Sequence, residues 1–138
     1  MKRLIVCGVV VAGLLLPTVA FSKPRFYAAP MPGSNAGLEF GITFKNHKPR
    51  KVARFEYHNI SGVGTCSFLP EGGPAQPGWR INRKAKFHGT LRTGNYVATV
   101  TGHLRKPANH YRKILGTFRV QGNGCDTGTL NYVATKGG

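Results

Sequence analysis

Tyr96-Val97-Ala98-Thr99-Val100-Thr101, entered through Thr93-Gly94-Asn95, sets the fold class. Tyr96, Ala98 and Val100 fall on one side of an extended chain, and Val97, Thr99 and Thr101 fall on the other. This is the period-two pattern of a β-strand, introduced by turn residues. The same signal recurs on both sides of it. In Val52–His58, Ala53, Phe55 and Tyr57 alternate with Arg54, Glu56 and His58. Cys66–Leu69, Trp79-Arg80-Ile81 and Ala85–Leu91 read as further strands. So do the segments carrying Ile114, Gly116, Phe118 and Val120, and Leu130, Tyr132 and Ala134. Lys48-Pro49, Asn82-Arg83-Lys84, Lys106-Pro107-Ala108-Asn109 and Gly122-Asn123-Gly124 supply turn chemistry between them. Gly72-Gly73-Pro74 through Pro77-Gly78 reads as a turn-rich loop.

No helical stripe interrupts this series. The expectation is an all-β domain, an antiparallel β-sandwich or partly open barrel of about seven to eight strands. Its core would hold Phe55, Tyr57, Phe87, Tyr96, Val100, Phe118 and Tyr132. Asn95-Tyr96-Val97-Ala98-Thr99 recurs as Asn131-Tyr132-Val133-Ala134-Thr135. Either a structural repeat or two strands drawing on the same β-favouring residues would give this echo, and the second is favoured because two copies alone do not make a solenoid.

The chain has 138 residues, one domain's length. Its hydrophobic content of 41% suits a folded protein rather than a disordered one. With 19 Gly and 9 Pro it favours short elements and turns. A multidomain enzyme, a polytopic membrane protein and a zinc scaffold are excluded on these grounds. The N-terminus has the layout of a secretory signal peptide over residues 1–22. Lys2 and Arg3 precede an apolar run from Leu4 to Leu16, Pro17 breaks it, and small residues suit cleavage after Ala20 or Ser22. The apolar run of about 13 residues is short of the roughly 20 that span a bilayer. No other segment is long and apolar enough to do so. Lys23–Gly37, with Pro24, Pro30, Pro32, Gly33 and Gly37, reads as a flexible lead-in, and residues 38–138 as the β-domain. Export places the mature chain outside the cell. Cys7 leaves with the signal, and Cys66 and Cys125 remain as one disulfide in an oxidising compartment.

Leu115-Gly116-Thr117-Phe118-Arg119-Val120, followed by Cys125-Asp126-Thr127-Gly128-Thr129-Leu130-Asn131-Tyr132-Val133-Ala134, resembles the ending of small secreted actinobacterial-type β-sandwich proteins of unassigned function. Phe55, Cys66, Phe87 and Gly102 fall where such proteins place a strand aromatic, the partner cysteine, a strand Phe and a strand glycine. The likeness runs from about Gly37 to Lys136. The final aromatic there is more often Trp, where this chain has Tyr132. The resemblance implies the fold and no catalytic residue.

Chemistry-bearing groups are scarce. Glu39, Glu56, Glu71 and Asp126 are the only carboxylates, and Glu39 and Glu56 could face each other across the first hairpin. His47, His58, His88, His103 and His110 lack H-x-H, H-x₃-H or H-E-x₂-H spacing, so neither a metal nor a cofactor is expected. There is no nucleophile elbow, phosphate loop or dinucleotide fingerprint. The feature that points outward is charge. Twenty Lys and Arg against 4 acids give +16, and signal cleavage removes two cations and no acid, taking +16 to +14.

The cations cluster at turns. Lys45, Lys48, Arg50, Lys51 and Arg54 form one group, Arg80, Arg83, Lys84 and Lys86 a second, and Arg105, Lys106, Arg112 and Lys113 a third. Such a field attracts polyanions, and it equally serves to keep a small exported protein soluble and monomeric. Outside a cell these include cell-wall phosphate polymers, acidic polysaccharides and anionic lipid headgroups, with nucleic acid bound only non-specifically. The expectation is a monomeric, non-enzymatic binding protein. Its polyanion-binding residues would be Lys45, Lys48, Arg50, Lys51, Arg83, Lys84, Arg105, Lys106, Arg112 and Lys113. A small hydrolase of wall material is one alternative, and an inhibitor or effector docking through Glu71–Gly78 is another. A strict meander with turns near 47, 62, 74, 83, 93 and 107 puts the first and third clusters at opposite ends of the sheet. If Trp79–Leu91 were one continuous strand, they would share an end. The turn chemistry of Asn82-Arg83-Lys84 favours the opposite-end arrangement.

Overall fold

The computed structural model describes residues 22–106 and 110–137. The expected signal peptide lies outside the described residues, except for Ser22. The described chain is all β, and none of it forms a helix long and apolar enough to cross a membrane.

Eight strands form one antiparallel path in the order β6-β3-β2-β1-β12-β10-β9-β8. They are β6 (Gly72–Ala75), β3 (Lys48–His58), β2 (Gly37–Lys45), β1 (Arg25–Pro30), β12 (Leu130–Lys136), β10 (Lys113–Gly122), β9 (Tyr96–Arg105) and β8 (Lys86–Thr93). Two short strands hang on this path: β7 (Trp79–Arg80) pairs with β3, and β11 (Cys125–Asp126) pairs with β10. A separate hairpin joins β4 (Ser61–Val63) to β5 (Cys66–Phe68). The path curls until β6 and β7 approach β8, so the sheet is a nearly closed barrel.

The period-two reading survives in the burial pattern. Leu38, Phe40 and Ile42 point inward from β2, and Phe55 and Tyr57 from β3. Ala98, Val100 and Leu104 do so from β9, Ile114, Phe118 and Val120 from β10, and Tyr132 and Ala134 from β12. Six of the seven expected core residues are buried, and Tyr96 is half-buried. Phe40 sits at the centre, 5.1 Å from Phe55, 5.9 Å from Phe87 and 5.3 Å from Tyr132, ring to ring. Burying each such side chain contributes about 1.5–3 kcal/mol. Glycines on the inner wall make room for rings: Tyr57 lies over Gly72, Trp79 over Gly89, Phe87 over Gly102, and the Tyr132 hydroxyl over Gly116.

Three expectations are corrected. The lead-in is not flexible chain, because Arg25–Pro30 is a central strand hydrogen-bonded to β2 on one side and β12 on the other. Tyr27 and Ala29 are its buried face. Residues 72–75 are not loop but strand β6, in register with Phe55 and Tyr57. Ala53 does not take an inward place. The β2–β3 register shifts between Gly41 and Ile42, Ala53 becomes the extra residue of a bulge, and Val52 turns inward instead.

Candidate functional site

Strand direction determines where the charge goes. β2 ends, and β3 begins, at a two-residue turn whose central residues Asn46 and His47 both have positive φ, the conformation of a type I′ hairpin. β3 then runs away from that end. The β4–β5 hairpin stays at the far end, and β6 and β7 return antiparallel to β3. The turn at Asn82–Ala85, the end of β9 and start of β10, the start of β1 and the finish of β12 all lie back beside the first turn.

All ten residues expected to bind polyanions therefore share one end of the barrel, and all ten are exposed. The opposite-end arrangement is overturned, although its premise about Asn82-Arg83-Lys84 holds. The fault lies at 74, which is mid-strand rather than a turn, so the chain makes one crossing fewer. Arg25, Arg80, Lys86 and Lys136 join the same end. Arg25 and Lys136 escape sequence reasoning because only the β1–β12 pairing brings them there.

The arrangement is electrostatically unbalanced. Lys45 stands directly opposite Lys48 in the ladder, Lys51 opposite Arg80, and Arg105 opposite Lys113. Like charges directly opposed across strands are destabilising. None of the chain's four carboxylates lies at this end to offset them. Arg54 and Arg119, which do have acidic partners (Glu56 at 3.0 Å and Asp126 at 3.0 Å), sit elsewhere. The field is felt by His103, on the neighbouring outer face. Partial burial, then the charges of Arg105 and Lys86, hold its imidazole below the usual histidine range.

Within this end is a groove of about 820 Å³. Lys48, Arg50, Arg80, Arg83 and Lys106 form its rim, so all three basic segments contribute. Its floor is apolar: Pro49, Ile81, Ala85 and Tyr111. The backbone beneath the rim is fixed. A second β2–β3 bulge leaves Arg50 as the extra residue, and the Ile81 amide donates to its carbonyl at 2.9 Å. The Asn82 side-chain oxygen accepts from the Lys84 and Lys86 amides at 2.9 and 3.0 Å, holding the turn that carries Arg83. The buried Tyr27 hydroxyl donates to the Tyr111 carbonyl at 2.8 Å, and the Tyr111 ring packs 5.9 Å from Phe44. Lys106 Nζ lies 5.5 Å from the Tyr111 ring centre. Trp79 borders the second basic cluster in sequence and Tyr111 sits within the third, so either could offer a stacking surface. Trp79 is spent on the core, against Phe55 and Phe87, and Tyr111 is left at the groove.

The carboxylates behave differently. Glu39 and Glu56 are opposite each other across the first hairpin, as their positions allow. Their oxygens and a His58 ring nitrogen all lie within 4.8 Å of one another. Burial, then the neighbouring Glu56 carboxyl, raises the Glu39 carboxyl above the usual range. Burial opposes ionisation of Glu56 too, but hydrogen bonds from Arg54 and Glu39 outweigh it and hold Glu56 low. The three residues are the group among the described ones that could approach a metal ion together, though Arg54 already occupies a Glu56 oxygen. A search limited to histidine spacing passes over this group, although Glu56 and His58, two apart on one strand face, signal it.

Cys66 and Cys125 are bridged, with Cα atoms 4.9 Å apart, at the end opposite the basic groove. No family model, curated protein or solved structure matches the chain.

Proposed function

We propose that this is a secreted, non-enzymatic protein that attaches to anionic extracellular polymer through the basic end of its barrel. The observation that carries the reading is the set of three directly opposed cation pairs at an end that none of the four acidic side chains reaches. A charge acquired for solubility alone gains from being spread. Here it is concentrated where strand pairing makes it costly, and a polyanion would relieve that repulsion. The disulfide and the signal-like N-terminus support a location outside the cell. The ligand class spans wall phosphate polymers, acidic polysaccharides and anionic headgroups, with nucleic acid held by charge alone.

The test is retention of the mature protein on an immobilised polyanion as salt rises. Two triple variants lower net charge equally. Lys48→Gln/Arg83→Gln/Lys106→Gln neutralises the groove, and Ser67→Glu/Asn95→Glu/Thr129→Glu adds acids to exposed positions of the far end. The proposal expects the groove variant to lose most of its retention and salt dependence while the far-end variant keeps them. Equal losses would leave bulk charge only, and absence of binding at low salt would end the reading.

A further inference from the structure

The geometry points to a narrower ligand: a saccharide carrying anionic ester groups, its ring seated on Tyr111 and its anions on the Arg50, Arg80 and Arg83 guanidiniums. This inference rests on the polyanion reading above and specifies its ligand. A bare inorganic polyanion is charged along its whole length and has nothing to place on an apolar floor. The groove nevertheless has one, built from Pro49, Ile81, Ala85 and Tyr111 inside the cationic rim. A sugar ring offers the missing complement, an apolar C–H face that packs on an aromatic ring while its substituents project outward. Phosphate or sulfate esters on that ring would meet arginine, whose planar fork binds tetrahedral oxyanions in bidentate fashion where lysine acts as a point charge.

Scale and rigidity agree. The groove's volume of about 820 Å³ falls within the range of ligand pockets and suits a short oligosaccharide. Tyr111 is held from below by Tyr27 and from the side by Phe44, and the Arg83 turn is held by Asn82. The apolar surface is thus formed in advance, with flexible cations around it. Single-stranded nucleic acid is disfavoured. It needs successive stacking surfaces, whereas the groove supplies one ring, and the Asn82 oxygen, an acceptor suited to a base edge, is committed to backbone amides.

The experiment compares three probes by calorimetry at one salt concentration: a heparin hexasaccharide, linear polyphosphate of matched charge, and a single-stranded DNA oligonucleotide. The variants are Tyr111→Leu and Tyr111→Phe. Circular dichroism verifies the fold, and Tyr111→Phe controls for the hydroxyl. Loss of the ring is expected to weaken the hexasaccharide about fivefold, the scale of one aromatic contact. Polyphosphate should stay within about twofold of wild type under Tyr111→Leu, because its attachment is electrostatic. Tyr111→Phe should bind all three probes like wild type. Hexasaccharide binding indifferent to Tyr111→Leu would overturn the inference, as would equal weakening of both polyanions. A Tyr111 effect seen with DNA and not with the hexasaccharide would reassign the groove to nucleic acid. If polyphosphate binds while the hexasaccharide shows no Tyr111 effect, only the sugar inference falls. If no probe binds, the polyanion reading falls with it.

Discussion

The two ends of the barrel treat charge in opposite ways. At the far end Arg119 Nε donates to Asp126 Oδ1 at 3.0 Å, Gln121 donates to the same carboxylate, and the Gly128 amide does so at 2.8 Å. The Asp126 backbone also ties to Thr65, and the bridge between Cys66 and Cys125 clamps the β4–β5 hairpin onto β11. Every charged group in that cluster is answered from within the chain. At the basic end no acidic side chain answers the described cations, and in three places one is set against another. The lesson is a division of labour: one end is built to hold, the other to be completed by something else.

The largest expected effect tests whether the ends are separable. Replacing Cys66 and Cys125 with Ala opens a loop whose ends are 59 residues apart. The chain-entropy relation puts the loss near 4 kcal/mol, read as a fall in the urea midpoint. Binding to polyanion, measured where the variant is still folded, should be unchanged. Loss of binding in a folded variant would mean that the ends are coupled.

A smaller effect runs the other way. Lys51→Glu places a carboxylate opposite Arg80. It should stabilise the fold by about 0.5 kcal/mol, the scale of a cross-strand ion pair, while weakening polyanion retention. A variant neither more stable nor weaker in binding would show that the opposed cations are harmless neighbours.

The smallest effect separates the ends by pH. The hydrogen bond and charge of Arg119, with the Gly128 amide, hold the Asp126 carboxyl down at about 2, below its ordinary 3.8. A carboxylate depressed in the folded state contributes stability above its unfolded pKa, and that stability is lost as pH falls through the folded value. The melting temperature should therefore decline between roughly pH 4 and 2, and Asp126→Asn should shrink that decline. None of the four acidic side chains lies at the basic end, so no Asp or Glu there adds to the slope. An identical acid arm in wild type and Asp126→Asn would remove Asp126 from its cause.

Much of the barrel was legible because most strands bury one face and wet the other, so alternation is written into them. β1 was not, for a physical reason. Phe26, Tyr27, Ala28 and Ala29 are all apolar although only Tyr27 and Ala29 face inward, and prolines bracket them. No alternation exists to read, and the strand is specified by its neighbours β2 and β12 instead. The disulfide was legible from the two cysteines that remain once Cys7 is set aside with the signal-like segment. The basic residues were legible one by one, but their convergence was not. It depends on Gly72–Ala75 crossing the barrel as a strand, and a Gly-Gly-Pro sequence gives every local sign of a turn. Tyr111 was visible as an aromatic among cations. That it, rather than Trp79, faces the groove depends on Gly89 leaving the space that Trp79 fills.

The placement of β1 has a consequence for how the molecule is made. Tyr27 pairs with Lys136, 109 positions later, and β12 bridges β1 to β10. The wall stays open until Leu130–Lys136 is in place, so the segments made first wait for the one made last. Pairings this distant in sequence form slowly. A growing chain of this design therefore keeps its barrel open, with β1 lacking one of its two neighbours, until Leu130–Lys136 has been added.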